Sequence, residues 1–312
     1  MTAPDAVEEP AAARPTRRRR WSAAGNRARL YSRLVYLPHT LFALPFAVVG
    51  LTLASVERTL TPRVVLLVAV AFTAARFAAM AFNRLADRRL DAENPRTRER
   101  ELPRGLLGTG EVAATVVVAS AVFVAAAALL NPLCLALAPL ALAWVLLYSY
   151  TKRFTSLSHV VLGVGLAIAP VGASIALLGR LDPRFLWLAA AVTLWVAGFD
   201  SIYSLQDLAF DRARGLHSLP RRLGPSRTLT LVSVAFAGVV TCLTAVGLAF
   251  DLGAVYWIAV AGVAATLAYE RSLVAPGDLS RVNRAFFTVN GWMSVGFAAL
   301  VVIDRLLAGT AP

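Results

Sequence analysis

The chain has 312 residues, 58% of them apolar and only 16% charged, with a mean hydropathy of +0.66. Soluble domains carry roughly a quarter charged residues, so a soluble globular class is excluded. A formal net charge of +13 invites a nucleic-acid reading, but the location of the charge, taken up below, excludes that as well.

Residues 1–33 are rich in Ala, Pro and Arg, with Arg17 to Arg20 consecutive. They lack the apolar run of a signal peptide and are expected to form a disordered basic tail. From residue 34 to 308, runs of about 20 apolar residues recur, each long enough to cross a hydrocarbon core of about 30 Å as a helix. They do not alternate polar with apolar as barrel strands do. The expected spans lie near 37–55, 64–83, 111–130, 133–150, 159–179, 185–203, 228–249, 253–270 and 285–304, with a short tail at 309–312. The expected fold is therefore all-α, a polytopic membrane protein with nine transmembrane helices.

Lys and Arg fall mostly on one side of these spans. Eight precede the first, seven run from Arg84 to Arg104, two are Lys152 and Arg153, five run from Arg212 to Arg227 and three from Arg271 to Arg284. The other side holds Arg58, Arg63, Arg180, Arg184 and Arg305, and Arg76 alone lies within a span. By the positive-inside rule the amino terminus and even-numbered loops are expected on the cytoplasmic side of the cell inner membrane, so the basicity reports orientation.

Span one opens Tyr36-Leu37-Pro38-His39-Thr40-Leu41-Phe42-Ala43-Leu44-Pro45-Phe46, where two prolines disturb the helix and can open a cavity. Span two carries Arg76 seven residues before Asn83, on the same helical stripe. A span arginine costs about 2.5 to 3.5 kcal/mol on insertion scales, so Arg76 is expected to face protein, water or ligand rather than lipid, a buried pair with an Asp being the alternative. The span ends in Asn83-Arg84-Leu85-Ala86-Asp87-Arg88-Arg89-Leu90-Asp91, which sets Asn83, Asp87 and Asp91 within about 80° of one another. The mixed-charge stretch from Ala92 to Gly105 contains Pro95 and Pro103, excludes a span and is expected to cover an anionic-ligand site.

Asn131-Pro132 permits only an antiparallel hairpin between spans three and four. Span four ends in Tyr148-Ser149-Tyr150-Thr151-Lys152-Arg153, with its cations beside the acidic stretches. Span six leads into Asp200-Ser201-Ile202-Tyr203-Ser204-Leu205-Gln206-Asp207-Leu208-Ala209-Phe210-Asp211, whose three carboxylates, spaced seven and four apart, are expected within about 40° of one helix face. Cys134 and Cys242 offer no disulfide framework, and the three histidines form no zinc pattern. Paired acidic stripes with neighbouring cations suit divalent ions gripping a diphosphate.

Asn83-x-x-x-Asp87-x-x-x-Asp91 together with Asp200-x-x-Tyr203-x-x-x-Asp207-x-x-x-Asp211 resembles the UbiA superfamily of intramembrane aromatic prenyltransferases. The resemblance implies nine helices around a central cavity open to lipid, where a polyprenyl diphosphate ionises and alkylates an aromatic ring. It implies Mg²⁺, two ions, with Asn83, Asp87 and Asp91 holding one and Asp207 and Asp211 the other. Asp200, Tyr203 and Asp207 become the catalytic set, Arg76, Arg96 and Lys152 the diphosphate binders, and Arg153, His39 and Tyr148 the acceptor binders. Phe42, Phe46, Tyr148 and Tyr203 are candidates for shielding an allylic cation.

Three stretches, from His39 to Phe46, from Asn131 to Pro139 and from Asp278 to Phe287, are similar to the futalosine-route menaquinone prenyltransferases. The implied acceptor is 1,4-dihydroxy-6-naphthoate, with 4-hydroxybenzoate, as in ubiquinone-type biosynthesis, the alternative. The implied partners are the polyprenyl diphosphate, the aromatic carboxylate and the bilayer, with no nucleic acid and with the site opening to the cytoplasm. A secondary transporter is the competing class, because intramembrane acids occur there too; but here the acids sit at span ends beside arginines.

Overall fold

The protein is described from a computed structural model that covers residues 23–35, 37–283 and 288–309. These residues form twelve α-helices: α1 (Ala23–Leu34), α2 (Leu37–Ala54), α3 (Pro62–Glu93), α4 (Thr109–Leu130), α5 (Pro132–Thr151), α6 (Ser158–Leu178), α7 (Phe185–Ser204), α8 (Leu208–Ala213), α9 (Leu219–Leu223), α10 (Pro225–Ala249), α11 (Ala254–Ser272) and α12 (Asn290–Gly309). Among the described residues there is no named strand, as the all-α expectation requires. Seven helices, α3, α4, α5, α6, α7 with its extension, α10 and α12, are long and apolar enough to cross a membrane. Nine spans were expected. The two that fall short are α2, which contributes a shorter apolar segment at Leu44–Ala54, and α11.

α3 shows how local sequence builds the platform for the first motif. The Thr61 side chain accepts from the Val64 amide at 3.4 Å and Pro62 takes the first helical position, the arrangement that suits both residues at a helix start. No proline or glycine interrupts the next thirty residues, so the helix runs unbroken for 32 residues. That is about 48 Å at 1.5 Å per residue, well beyond a hydrocarbon core of about 30 Å. Its last turns carry Asn83, Asp87 and Asp91. Asn94 caps it with an extended backbone, and Pro95 cannot continue it.

The second motif departs from the expected continuous helix. α7 stops at Ser204, Leu205–Asp207 form a 3-10 turn, and α8 resumes at Leu208. A 3-10 turn winds about 3.0 residues per turn and shifts the helical phase. Asp207 and Asp211 are nonetheless both buried. The amino-terminal tail also needs correction, since Ala23–Leu34 is helical. Leu34 is buried with Ala81, Leu107 and Val112, and Glu111 accepts from Arg27 at 3.0 Å and Tyr31 at 2.8 Å. Residues 1–22 lie outside the described residues.

Close packing of small residues sets the helix order. A Cβ on Gly163 of α6 would stand 2.4 Å from the Thr193 carbonyl of α7, and one on Gly50 of α2 would stand 2.3 Å from the Pro170 carbonyl of α6. Small residues at such crossings let backbones approach directly. At the α4–α5 hairpin the Asn131 side chain accepts from the Cys134 amide at 2.9 Å. Its own amide donates to Ile175 and Ala176 carbonyls at 2.9 and 3.3 Å, pinning the hairpin to the last turn of α6, where carbonyls lack further helical partners.

The main core lies among α2, α6, α7, α10, α11 and α12, with Phe185, Trp195 and Tyr256 fully buried. Trp195 meets Phe46 at a tilt and Phe199 edge to face, at 5.0 and 4.9 Å between centroids. On the face opposite the motifs, Glu57 pairs with Arg180 and Arg184, and Asp182 pairs with both of those arginines. This cluster ties the loop after α2 to the α6–α7 loop. The other half of the bundle, bounded by α3 to α7, encloses a cavity instead of a core.

Gly163→Val is expected to force α6 off α7 and cost about 1 to 3 kcal/mol, the usual penalty for overpacking. Thermal unfolding of detergent-solubilised protein should show a lower midpoint, whereas Gly262→Ala, with no neighbour within 4 Å, should not lower it.

Candidate active site

A cavity of about 1090 Å³ runs between α3, α4, α5, α6 and α7. Its deep part is apolar, lined by Phe72, Phe123, Trp144 and Ile168, and its mouth carries both acidic motifs. Asn83, Asp87, Asp91, Asp200, Tyr203, Asp207 and Asp211 all line it, as do Arg76, Arg96, Tyr148, Lys152 and Arg153. Eight residues of helix separate Asn83 from Asp91, so the first motif descends about 12 Å of one wall. The His39 and Phe42 side chains lie outside the described residues.

The loop after α3 crosses the mouth and joins the two motifs. Arg96 grips Asp207 with two parallel hydrogen bonds, Nε to Oδ1 at 2.9 Å and Nη2 to Oδ2 at 2.7 Å. Its third nitrogen donates to the Tyr203 hydroxyl at 3.0 Å, and the Asn94 amide donates to Asp207 at 3.3 Å. Burial is the largest single influence and opposes the Arg96 charge, but the hydrogen bond to Asp207 and the attraction of Asp207, Tyr203 and Asp91 together outweigh it and raise the guanidinium pKa above its ordinary value. A bidentate arginine and carboxylate pair is among the stronger polar contacts a protein makes.

Two further arginines cap the first motif. Arg100 donates to Asp91 at 2.7 Å, and Arg153 donates to Asp87 at 3.2 Å while also bonding the Ala86 carbonyl at 2.9 Å. Arg153, expected at the acceptor, thus stands at the first acidic motif, with its guanidinium 4.8 Å from the Tyr150 ring. Asn83 donates to the other Asp87 oxygen at 3.2 Å. Lys152 makes no direct ion pair among the described residues, yet its charge acts on Asp87, Asp200, Asp207 and Asp211 together.

Arg76 sits about 10 Å below Asn83 along the helix. Among the described residues it pairs with no carboxylate, and its Nε is buried with no hydrogen-bond partner. The alternative of a buried pair with an Asp is therefore not what the structure shows. Arg76 and Tyr148 both line the cavity.

Three site residues escaped the reading of the sequence. Asn94 and Arg100 sit in a loop where one polar residue looks like the next. His159 is fully buried at the start of α6, with Nδ1 2.6 Å from an Asp200 oxygen. A histidine in an otherwise apolar span is the signal that could have found it.

The oxygen chemistry suits Mg²⁺. Among the described residues no three His, Cys, Asp or Glu side chains cluster tightly enough to hold an ion alone. Magnesium, however, is commonly held through one or two carboxylates together with substrate phosphates and water. Asp91 and Asp211 each present a buried oxygen without a partner, both at the cavity wall, and an unpaired buried carboxylate oxygen is costly unless something fills it.

A hollow helical bundle with two acidic motifs facing one cavity beneath an arginine-bearing loop is the framework of an intramembrane transferase. The chain belongs to the UbiA prenyltransferase family, whose model matches residues 43–293. It is 32% identical over 252 residues to the 4-hydroxybenzoate octaprenyltransferase of Ralstonia nicotianae, covering 79% of this chain and 83% of that protein. It is 33% identical over 235 residues to the enzyme of the same name from Xanthomonas euvesicatoria pv. vesicatoria, covering 75% and 76%. Among solved structures, a UbiA homologue from Aeropyrum pernix K1 superposes with a TM-score of 0.78 at 36% identity, over 85% of this chain and 98% of that one. A UbiA homologue from Archaeoglobus fulgidus, bound to DMAPP and Mg²⁺, shares the fold with a TM-score of 0.70 at 19% identity, over 89% and 99%.

Arg96→Ala should cut the tie between the loop and the second motif. Deuterium uptake by backbone amides over residues 94–107 is expected to rise at least about tenfold in rate, as loss of a charge-assisted contact implies; unchanged uptake would show that the loop is held by other contacts.

Proposed function

We propose that this enzyme transfers a polyprenyl group from polyprenyl diphosphate to a ring carbon of an aromatic carboxylate, in a reaction that requires Mg²⁺. The observation that carries the reading is that Asp87 and Asp91 on α3, and Asp207 and Asp211 after α7, line one cavity, with Arg96 bridging its mouth. The secondary-transporter class is set aside by membership of a transferase family.

In this reading Asn83, Asp87 and Asp91 hold one ion and Asp207 and Asp211 the other. Bound there, Mg²⁺ supplies the charge neutralisation that makes diphosphate a good leaving group. Arg96, Arg100 and Arg153, now on carboxylates, and the unpaired Lys152 offer donors to the phosphate oxygens. Arg76, two turns deeper and without a carboxylate partner among the described residues, is better placed for the acceptor's carboxylate than for the diphosphate, with Tyr148 lining the same cavity.

The allylic carbon–oxygen bond breaks, the diphosphate departs with the bonding pair, and the ring carbon forms the new carbon–carbon bond and loses its proton. Asp200 takes the proton of the acceptor's hydroxyl, making the ring more electron-rich. Tyr203 presents an aromatic face near the same point, and the apolar deep cavity houses the isoprenoid and excludes water from the cation. The preponderance of Lys and Arg on the motif side supports a cytoplasmic placing of that side, at the inner membrane.

The names of the relatives favour 4-hydroxybenzoate as the acceptor. The likeness of residues 39–46 to the futalosine-route enzymes favours 1,4-dihydroxy-6-naphthoate. Incubating membranes holding the protein with geranyl diphosphate, Mg²⁺ and each acceptor in turn decides between them by the prenylated product formed. Asp87→Asn is expected to lower turnover at least about 100-fold without loss of membrane insertion. Undiminished turnover in that variant would count against the assignment, and so would full activity after chelation of Mg²⁺.

A further inference from the structure

We propose that His159 is a positioning residue that holds Asp200 in the orientation needed to take the acceptor's proton; this rests on the reading above. The imidazole is completely buried, while the Asp200 side chain keeps 15% of its surface open and lines the cavity. Nδ1 lies 2.6 Å from Asp200 Oδ2, a short, charge-assisted separation. Asp200 therefore presents one oxygen to the ring of His159 and leaves the other for the cavity.

Nε2 is buried without any hydrogen-bond partner. A neutral imidazole with its proton on Nδ1 leaves only a bare lone pair there, whereas a doubly protonated ring would bury an unpaired N–H. The contact geometry thus fixes the tautomer: Nδ1 donates, and the ring has no open nitrogen through which to pass a proton on. His159 orients and stabilises the carboxylate and does not touch substrate, in the way a partner behind a reacting group fixes its direction.

The scaffold supports this role. His159 sits in the first turn of α6, which begins at Ser158, six residues after Lys152. Asp200 lies one turn before the end of α7 at Ser204. The Gly163 contact with the Thr193 carbonyl holds α6 and α7 together one turn from His159 along α6. The dyad therefore spans two helices that approach backbone to backbone close by, and its separation is set by that packing.

The test uses the full chain in detergent with Mg²⁺, geranyl diphosphate and whichever acceptor the wild type prenylates; a wild type that prenylates neither acceptor would refute the function itself and not this role. His159→Leu is expected to lower kcat about 10- to 100-fold while the KM for geranyl diphosphate and its binding stay within about twofold. His159→Asn, whose amide N–H occupies the place of Nδ1–H, is expected to recover most of the lost rate. In an Asp200→Asn background, His159→Leu should cost nothing further. Equal losses in the Leu and Asn variants, full kcat in the Leu variant, or losses that multiply in the double variant would each overturn the proposal. If the Leu variant does not fold, the Asn variant decides alone: kcat near wild type supports the role and a loss beyond about tenfold refutes it.

Discussion

The two-pronged bond from Arg96 to Asp207 is the contact on which the organisation of the site depends. It joins a loop that follows α3 to a carboxylate that follows α7, more than a hundred residues away. Without it, the two acidic motifs would be separate helix ends lining one space. With it, they share a roof that also places Asn94 and Tyr203. The same economy appears on the first motif, where Arg100 and Arg153 neutralise Asp91 and Asp87. A cluster of carboxylates facing one cavity repels itself, and three arginines from two different segments, the loop after α3 and the end of α5, are what allow it to persist.

The bundle is divided between a solid half and a hollow half. α2, α7, α10, α11 and α12 pack around Trp195 and Tyr256 with interdigitated side chains. α3, α4 and α5 pack mostly on one another and leave the cavity on their inner side. α6 and α7 border both halves. Their direct backbone approach at Gly163 makes a rigid partition, so the walls carrying His159 and Asp200 are backed by the core. The ion cluster of Glu57, Arg180, Asp182 and Arg184 closes the far end of this partition. Rigid elements behind a reactive wall are what an unstable allylic cation requires, because water admitted by a loose wall would capture it.

Much of the architecture was legible in the chain. Apolar runs marked where the helices lie, since a lipid-facing segment has no alternative to satisfying its backbone internally, although α3 runs ten residues past its expected end, to Glu93. The motif spacing on α3 was legible because that helix is uninterrupted. The second motif was legible as a set but not as a shape: Leu205–Asp207 adopt a 3-10 turn that no residue there announces. Residues 23–34 read as a tail because their helix is held by Glu111, about eighty positions away.

The sequence by itself determined the membrane class, the helical fold, the side on which positive charge gathers and the identity of the two acidic motifs, because these follow from hydropathy, charge placement and helical period, which are local properties. Only the tertiary structure decided which cation meets which carboxylate, that Arg153 stands at Asp87, that Arg76 is left without a carboxylate, and that a histidine on α6 backs Asp200. Each of those pairings joins segments distant in the chain, and their distances are set by how α3, α5, α6 and α7 pack around a common space.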